Sequence, residues 1–301
     1  MGTVIDRLEV TKAGWRGRHS ALHLAVTAAK NLLENAGRDA DDIDLLVNAG
    51  IYRDKNLGEP ALAALIQEDI GANPEDPHEN AHGTFSFDIA NGTCGILTGL
   101  QIADGFLRSH SIDCAVITAS DADPGHGMSE QFPFSPAGAA LLCNWTDDDY
   151  GLGPVSWVND PDGGENFRAT VGTEDSRNVL RFGESPMLDE ALAATAAQAA
   201  NNCLERSSAT LSDVDVIVAA PARRRYRAAL AAALGVPADK VVVADDERTH
   251  TAALAAALQS TLNHLPIGAR ILFVAAGAGI TAGAALYREP PIPRWSGQAQ
   301  V

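Results

Sequence analysis

Apolar positions recur at helical spacing from about Ser20 to Asn35. An acidic turn then leads into the short apolar run Leu45, Leu46, Val47, which reads as a buried strand. The same order of signals returns later in the chain. A helix over 188–205 runs into Asp213, Val214, Asp215, Val216, Ile217, Val218, which overlays Asp42, Ile43, Asp44, Leu45, Leu46, Val47 without a gap at an offset of 171. A second pair sets the helix from Thr93 to Arg108 and the strand Cys114–Ala119 against His250–His264 and the strand Ile271–Ala275, offset by about 157. A third sets Ala137, Gly138, Ala139, Ala140, Leu141 against Ala282, Gly283, Ala284, Ala285, Leu286, small-residue runs suited to strands whose backbones pack closely.

Three matches in the same order predict a duplicated unit. The expected architecture is α/β, with two similar halves at 1–150 and 182–301 joined by 151–181, and with central helices held between mixed sheets. The joining stretch Gly151–Arg181 is rich in Gly, Asp and Asn and is expected to form loops, with one short strand around Val155–Val158.

Composition narrows the function classes. The 301 residues carry 22 Lys+Arg against 39 Asp+Glu, a formal charge of -17, which argues against a broad basic face for nucleic acid. No apolar run of 18 residues occurs and the N-terminus lacks the pattern of a signal peptide, so no membrane span is expected and the cytoplasm is the expected location. Cys94, Cys114, Cys143 and Cys203 lie too far apart for a metal knuckle and are too few for a disulfide framework. The closely spaced pair His19 and His23 marks a helix face, so no metal site is predicted. The glycines of Gly277–Gly283 fall in an apolar hairpin with no helix after it, which sets aside a nucleotide loop.

Candidate chemistry begins at Cys94. Ser86–Ile89 reads as a strand, Ala90–Thr93 as a tight turn, and the following segment as a buried helix with apolar residues on nearly every face. A thiol in the first turn of that helix meets unpaired amides and the positive end of the dipole, which favour a thiolate and suit an oxyanion. Under the duplication, His250 falls at the start of the second central helix, opposite Thr93 and one residue from the position of Cys94. Pseudo-twofold symmetry then carries an imidazole toward the same cavity.

The segments FDIANGTCGILTGLQIADGFL, CAVITASD, FSPAGAALL and GAGITAGAALYR together resemble the condensing enzymes of the thiolase superfamily, nearest the ketoacyl-ACP synthase III-like members. Within these, LLVNAGIYRDKNLGEPALAALIQ is similar to the branch of head-to-head acyl-CoA condensing enzymes of olefin synthesis. The resemblance spans almost the whole chain. It implies a thiolase-like fold, an acyl thioester formed on Cys94 from acyl-CoA or acyl-carrier protein, no permanently bound cofactor, and a homodimer. It also implies that Glu59 reaches into the partner's site as a base. For the CoA or phosphopantetheine donor it points to Arg225 and, loosely, Lys12. Arg223 and Arg224 complete a local basic cluster suited to phosphate or to an acidic carrier protein.

The departures from the family pattern bear on mechanism. The family histidine aligns with Ala220, or with Ala222 if proline is matched to proline, and the family asparagine is replaced by His250. That pair stabilises the enolate of decarboxylative condensation, so its loss favours acyl transfer with His250 as base over ordinary chain elongation. The competing expectation is a catalytically silent thiolase-fold subunit that binds acyl chains or supports an active paralogue.

Overall fold

The structure is a computed structural model that describes residues 1–13, 20–72, 83–125, 127–277 and 279–291. In the first half, β1 (Gly2–Lys12) precedes α1 (Ala21–Ala36), β2 (Leu45–Asn48), α2 (Leu62–Ile70), β3 (Phe85–Asp88), α3 (Gly95–Arg108), β4 (Cys114–Asp121) and β5 (Ala137–Thr146). The ends of α1 are chemically marked. Ser20 accepts the His23 amide at 2.9 Å, and Gly37 closes the helix in the left-handed region at φ 63°.

The second half begins earlier than expected, with β6 (Gly151–Leu152) and β7 (Ser156–Asn159). It continues through β8 (Phe167–Glu174), β9 (Arg177–Glu184), α4 (Leu188–Arg206), β10 (Val216–Ala220), α5 (Arg224–Leu234), β11 (Val241–Val242), α6 (Ala253–Thr261), β12 (Arg270–Gly277) and β13 (Thr281–Arg288).

The duplication is visible in the strand order. The first sheet runs β1-β5-β4-β2-β3, and the second runs β6-β13-β12-β10-β11 with β7 also paired to β13. In both, an antiparallel hairpin (β4 with β5, β12 with β13) adjoins parallel strands (β2 on β4, β10 on β12). Helices α3 and α6 lie between the sheets, where Leu97, Leu100, Leu254 and Leu258 share one core with Ile117 and Phe273. Helices α1 and α2 cover the outer face of the first sheet, and α4 and α5 that of the second. The result is five layers with the two central helices enclosed. The small-residue runs explain the close layers: a β-carbon added to Gly138 would lie 2.6 Å from the Leu24 carbonyl oxygen of α1, and one on Gly283 would lie 2.5 Å from the Trp157 ring.

One expectation needs correction. The stretch 151–181 is not mainly loop. Its short strand is present as β7, but β6 also belongs to the second sheet, and β8 and β9 form a separate hairpin. The turn Asp175-Ser176, with φ of 46° and 62°, is the two-residue kind whose twist suits a hairpin. Polar composition concealed alternation in which Phe167, Ala169 and Val171, with Leu180 and Phe182, line one cavity. His19, His78, His82 and His126 lie outside the described residues, so the expected His19 and His23 helix face falls partly outside them as well. Among the described residues no helix is long and apolar enough to cross a membrane, and no cluster of His, Cys, Asp and Glu is placed to hold a metal ion.

Candidate active site

The two halves meet around a cavity of about 880 Å³, within the size range of small-molecule sites. One side is the turn before α3, through Asn91, Gly92 and Thr93. Another is the segment before α6, through Thr249 and His250, with Gly277 from the end of β12. The β8–β9 hairpin and Phe134 close it with apolar surface. The hairpin is pinned to the first half by paired backbone bonds between Leu180 and residues Met128 and Glu130, and by Asn56 Nδ2 donating to the Asn178 carbonyl at 2.7 Å.

His250 is held from three directions. Its Nδ1 lies 3.2 Å from Asp121 Oδ2, at the end of β4. Phe134 stacks on the imidazole with ring centroids 4.2 Å apart, and Tyr52 adds a tilted contact at 5.2 Å. Arg248 fixes the Phe134 loop by donating from Nε to the Pro133 carbonyl at 2.9 Å, while the Ser135 amide donates to the Arg248 carbonyl at 2.9 Å. With Nδ1 engaged, Nε2 is the free nitrogen. A β-carbon added to Gly92 would sit 3.9 Å from it, which places the imidazole beside the turn that opens α3.

Asp121 is 3% exposed and fully coordinated. Its Oδ2 also accepts from Thr251 N at 2.8 Å and Thr251 Oγ1 at 2.6 Å, and its Oδ1 accepts from Tyr52 N at 3.0 Å. Burial pushes this carboxyl upward, yet the charge of His250 and the hydrogen bonds from His250, Thr251 and Tyr52 outweigh it and hold the group below the ordinary carboxylate range. The pair is the arrangement by which a carboxylate orients a histidine base and steadies its protonated form.

Cys94 ends the turn that leads into α3. Cys94 is 0% exposed and is not among the described residues lining the cavity. Its Sγ turns toward the C-terminal hairpin and donates to the Thr281 carbonyl at 3.5 Å. Burial pushes the thiol up to about 12. Thr93, the residue opposite His250 under the duplication, is among the residues that line the cavity. Thr93 Oγ1 makes a short hydrogen bond to the Ala276 carbonyl.

The remaining sequence candidates are dispersed. Glu59 is exposed and lies outside the cavity, although its neighbour Gly58 lines it. Arg223 lines the cavity, but its charge is met by Glu184 at 2.8 Å and Asp189 at 2.7 Å. Arg225 pairs with Glu190 at 2.7 Å, and Arg224 with Glu247 at 2.9 Å. The basic cluster is therefore neutralised arginine by arginine rather than held open for phosphate. Arg225 does not line the cavity, and Lys12 borders a separate depression of about 220 Å³ beside Asp245 and Asp246. At the position of the family histidine, Ala220 and Ala222 are buried and Pro221 faces the cavity.

Sequence reasoning missed Asp121, Tyr52 and Phe134. Asp121 carried a usable signal, an acid closing the apolar strand CAVITASD, and Thr93 was marked by the offset of 157. The aromatic contacts had no local signal, because loops distant in sequence bring them together.

Comparison with known proteins agrees with this architecture. Residues 204–289 match the family described as 3-oxoacyl-[acyl-carrier-protein (ACP)] synthase III C terminal. Over 92% of this chain and 87% of the relative, the sequence is 27% identical to the beta-ketoacyl-[acyl-carrier-protein] synthase III of Koribacter versatilis. The structure of 3-oxoacyl-[acyl-carrier-protein] synthase III from Aquifex aeolicus is similar at a TM-score of 0.79 with 19% identity, covering 95% of this chain and all of the other. Xanthomonas campestris OleA, solved with bound lauric acid and lauroyl-CoA, gives 0.78 with 16% identity, covering 95% of this chain and 99% of the other. The fold is thus the thiolase-like fold of the condensing enzymes. Within it the chain is a relative of the ketoacyl-ACP synthase III proteins, and the two kinds of solved structure match it equally well.

Proposed function

We propose that this protein is an acyltransferase of the condensing-enzyme type, which takes an acyl group from a CoA or carrier-protein thioester and passes it to an acceptor. The observation that carries the reading is the His250–Asp121 pair beside the start of α3, on a cavity closed by apolar side chains. His250 serves as base, and Asp121 keeps Nε2 turned toward the cavity. The resemblance puts Ala220, or Ala222, where decarboxylative enzymes keep histidine, which favours transfer to a hydroxyl, an amine or water over chain elongation. Acyl-CoA as donor agrees with the olefin-type resemblance. Arg53, Arg223 and Arg248 are the basic residues among those that line the cavity.

We infer a homodimer formed through the edge of β3 that no described strand covers, where Phe85 is 59% exposed, with Glu59 contributing by reaching the partner's cavity. Acetyl-, octanoyl- and benzoyl-CoA are offered in turn, and release of the CoA thiol is followed. His250→Ala is expected to slow release by about 10²–10⁴-fold. A second reading, a silent acyl-binding subunit, is favoured by the burial of Cys94 and is supported if none of the three thioesters releases thiol.

A further inference from the structure

We propose that Arg248 forms an acceptor subsite, selecting a short alcohol or amine that bears a carboxylate and presenting its nucleophilic end to His250; this inference rests on the acyl-transfer reading above. Three arginines line the cavity. Arg53 is paired with Asp88 at 3.4 Å, and Arg223 with Glu184 and Asp189 at 2.8 and 2.7 Å. Arg248 is exposed and meets no carboxylate among the described residues. Main-chain carbonyls hold its guanidinium instead: Nε donates to Pro133 at 2.9 Å, and Nη2 to Phe132 and Phe134 at 3.5 Å each. A guanidinium has five N–H donors, so the two on Nη1 are left without a partner among the described residues. The neighbouring carboxylates are engaged elsewhere. Glu247 binds the Arg224 guanidinium at 2.9 Å and the Arg224 amide at 3.0 Å, and Asp246 accepts the backbone amide of Arg248 at 3.0 Å.

Carbonyls orient a guanidinium without cancelling its charge, and here they also fix its distance from the base. The Ser135 amide donates to the Arg248 carbonyl at 2.9 Å, so backbone and side chain of Arg248 are both tied to the loop carrying Phe134, the ring that stacks on His250 at 4.2 Å. Arg248 and His250 are two residues apart, so their Cα atoms stand no more than about 7–8 Å from each other. That span suits an acceptor of a few carbons. The phosphates of a CoA donor stand a whole pantetheine arm away from the thioester carbon and are not the anion so short a span selects. The Phe134, Phe167 and Phe182 walls lower the local polarity and strengthen a charged hydrogen bond at their edge.

The transfer balances. With the acceptor carboxylate on Nη1 of Arg248, His250 Nε2 takes the proton of the acceptor O–H or N–H while that oxygen or nitrogen bonds to the thioester carbonyl carbon. The C–S bond breaks, and the sulfur leaves with the proton from Nε2. The products are a free thiol and an acyl ester or amide that keeps its carboxylate. No electrons are exchanged with an outside partner.

The test uses the full chain and octanoyl-CoA with acceptors in pairs that differ only in the anion: glycolate and glycolamide, 3-hydroxybutyrate and 3-hydroxybutyramide, 4-aminobutyrate and 4-aminobutyramide. Thiol release and the mass of the octanoyl product are followed. The parent is expected to favour the carboxylate of at least one pair by about 10–100-fold in kcat/KM. Arg248→Gln brings that ratio near one, and Arg248→Lys keeps part of it. A merely structural role in holding the Phe134 loop slows both members of a pair alike and leaves the ratio in place. If Arg248→Gln does not fold, the parent ratio and Arg248→Lys decide. A parent ratio near one in all three pairs, a folded Arg248→Gln protein with the parent ratio, or thiol release that forms no octanoyl ester or amide overturns the subsite alone. Octanoyl-pantetheine is the second donor, and Arg248→Gln is expected to act alike on both. A rise in KM confined to octanoyl-CoA assigns Arg248 to the donor phosphates and also overturns the subsite. Absence of thiol release from octanoyl-, acetyl- and benzoyl-CoA, with and without acceptors, overturns the acyl-transfer reading and the subsite with it.

Discussion

Asp121 at the end of β4 and His250 before α6 stand 129 residues apart in sequence, and their side chains meet at 3.2 Å across the junction of the two halves. Together with the two Thr251 bonds to the same carboxylate oxygen, this contact joins the first sheet to the segment that leads into the second central helix. It also fixes which imidazole nitrogen is free.

Asp121→Asn keeps the shape of the side chain and removes the charge that steadies a protonated His250. Thiol release from octanoyl-CoA is expected to fall by about 10²–10⁴-fold. The folded-state carboxyl is held below its ordinary value, so its stabilising contribution is present above about pH 4 and fades as pH falls through the lower folded value. Urea unfolding at pH 7 is expected to show a loss of about 3 kcal/mol for the variant, shrinking when both proteins are compared in acid. A loss that grows toward acid contradicts the assignment.

The four cysteines are all free and buried. Burial pushes the Cys94 thiol up to about 12, so it is held as the protonated thiol at pH 8. Native protein should therefore leave all four thiols unlabelled by iodoacetamide over the time in which urea-unfolded protein is fully labelled. Rapid native alkylation mapped to Cys94 would place its sulfur in a site open to solvent.

Phe134 covers one face of the imidazole. Phe134→Ala should cost about 1 kcal/mol of stability from the lost ring pairs. It should also raise KM for octanoyl-CoA more than it lowers kcat, since the ring lines the cavity while Asp121 still orients His250. An unchanged KM counts against an acyl group resting on this wall.

Gly138 sits where a β-carbon would meet the backbone of α1 at 2.6 Å. A main-chain contact cannot be relieved by a rotamer change, so Gly138→Ala is expected to cost about 1–3 kcal/mol in chemical unfolding. A neutral substitution would mean that α1 is free to move off the sheet.

Light scattering should return twice the chain mass in solution if β3 edges pair. Glu59→Ala should then slow transfer without changing that mass. A monomer that transfers at full rate removes both the pairing and Glu59 from the reaction.

What the sequence alone determined was set by local and repeated patterns. Helical spacing marked α1 and α4, apolar runs marked β2 and β4, and the matched offsets disclosed a duplicated unit whose two sheets share one strand order. His250 was legible through that symmetry and lines the cavity. The β8–β9 hairpin was hidden because its alternation is interrupted by charged residues at the solvent-facing positions, which made it read as loop. Tertiary structure decided the rest. Which residues of the turn before α3 border the cavity depends on the rotation of a single turn, which no local pattern fixes. Asp121 became the partner of His250 only when two distant strand and helix ends were brought together, because the packing of two sheets around shared helices is a long-range property that no window of sequence contains.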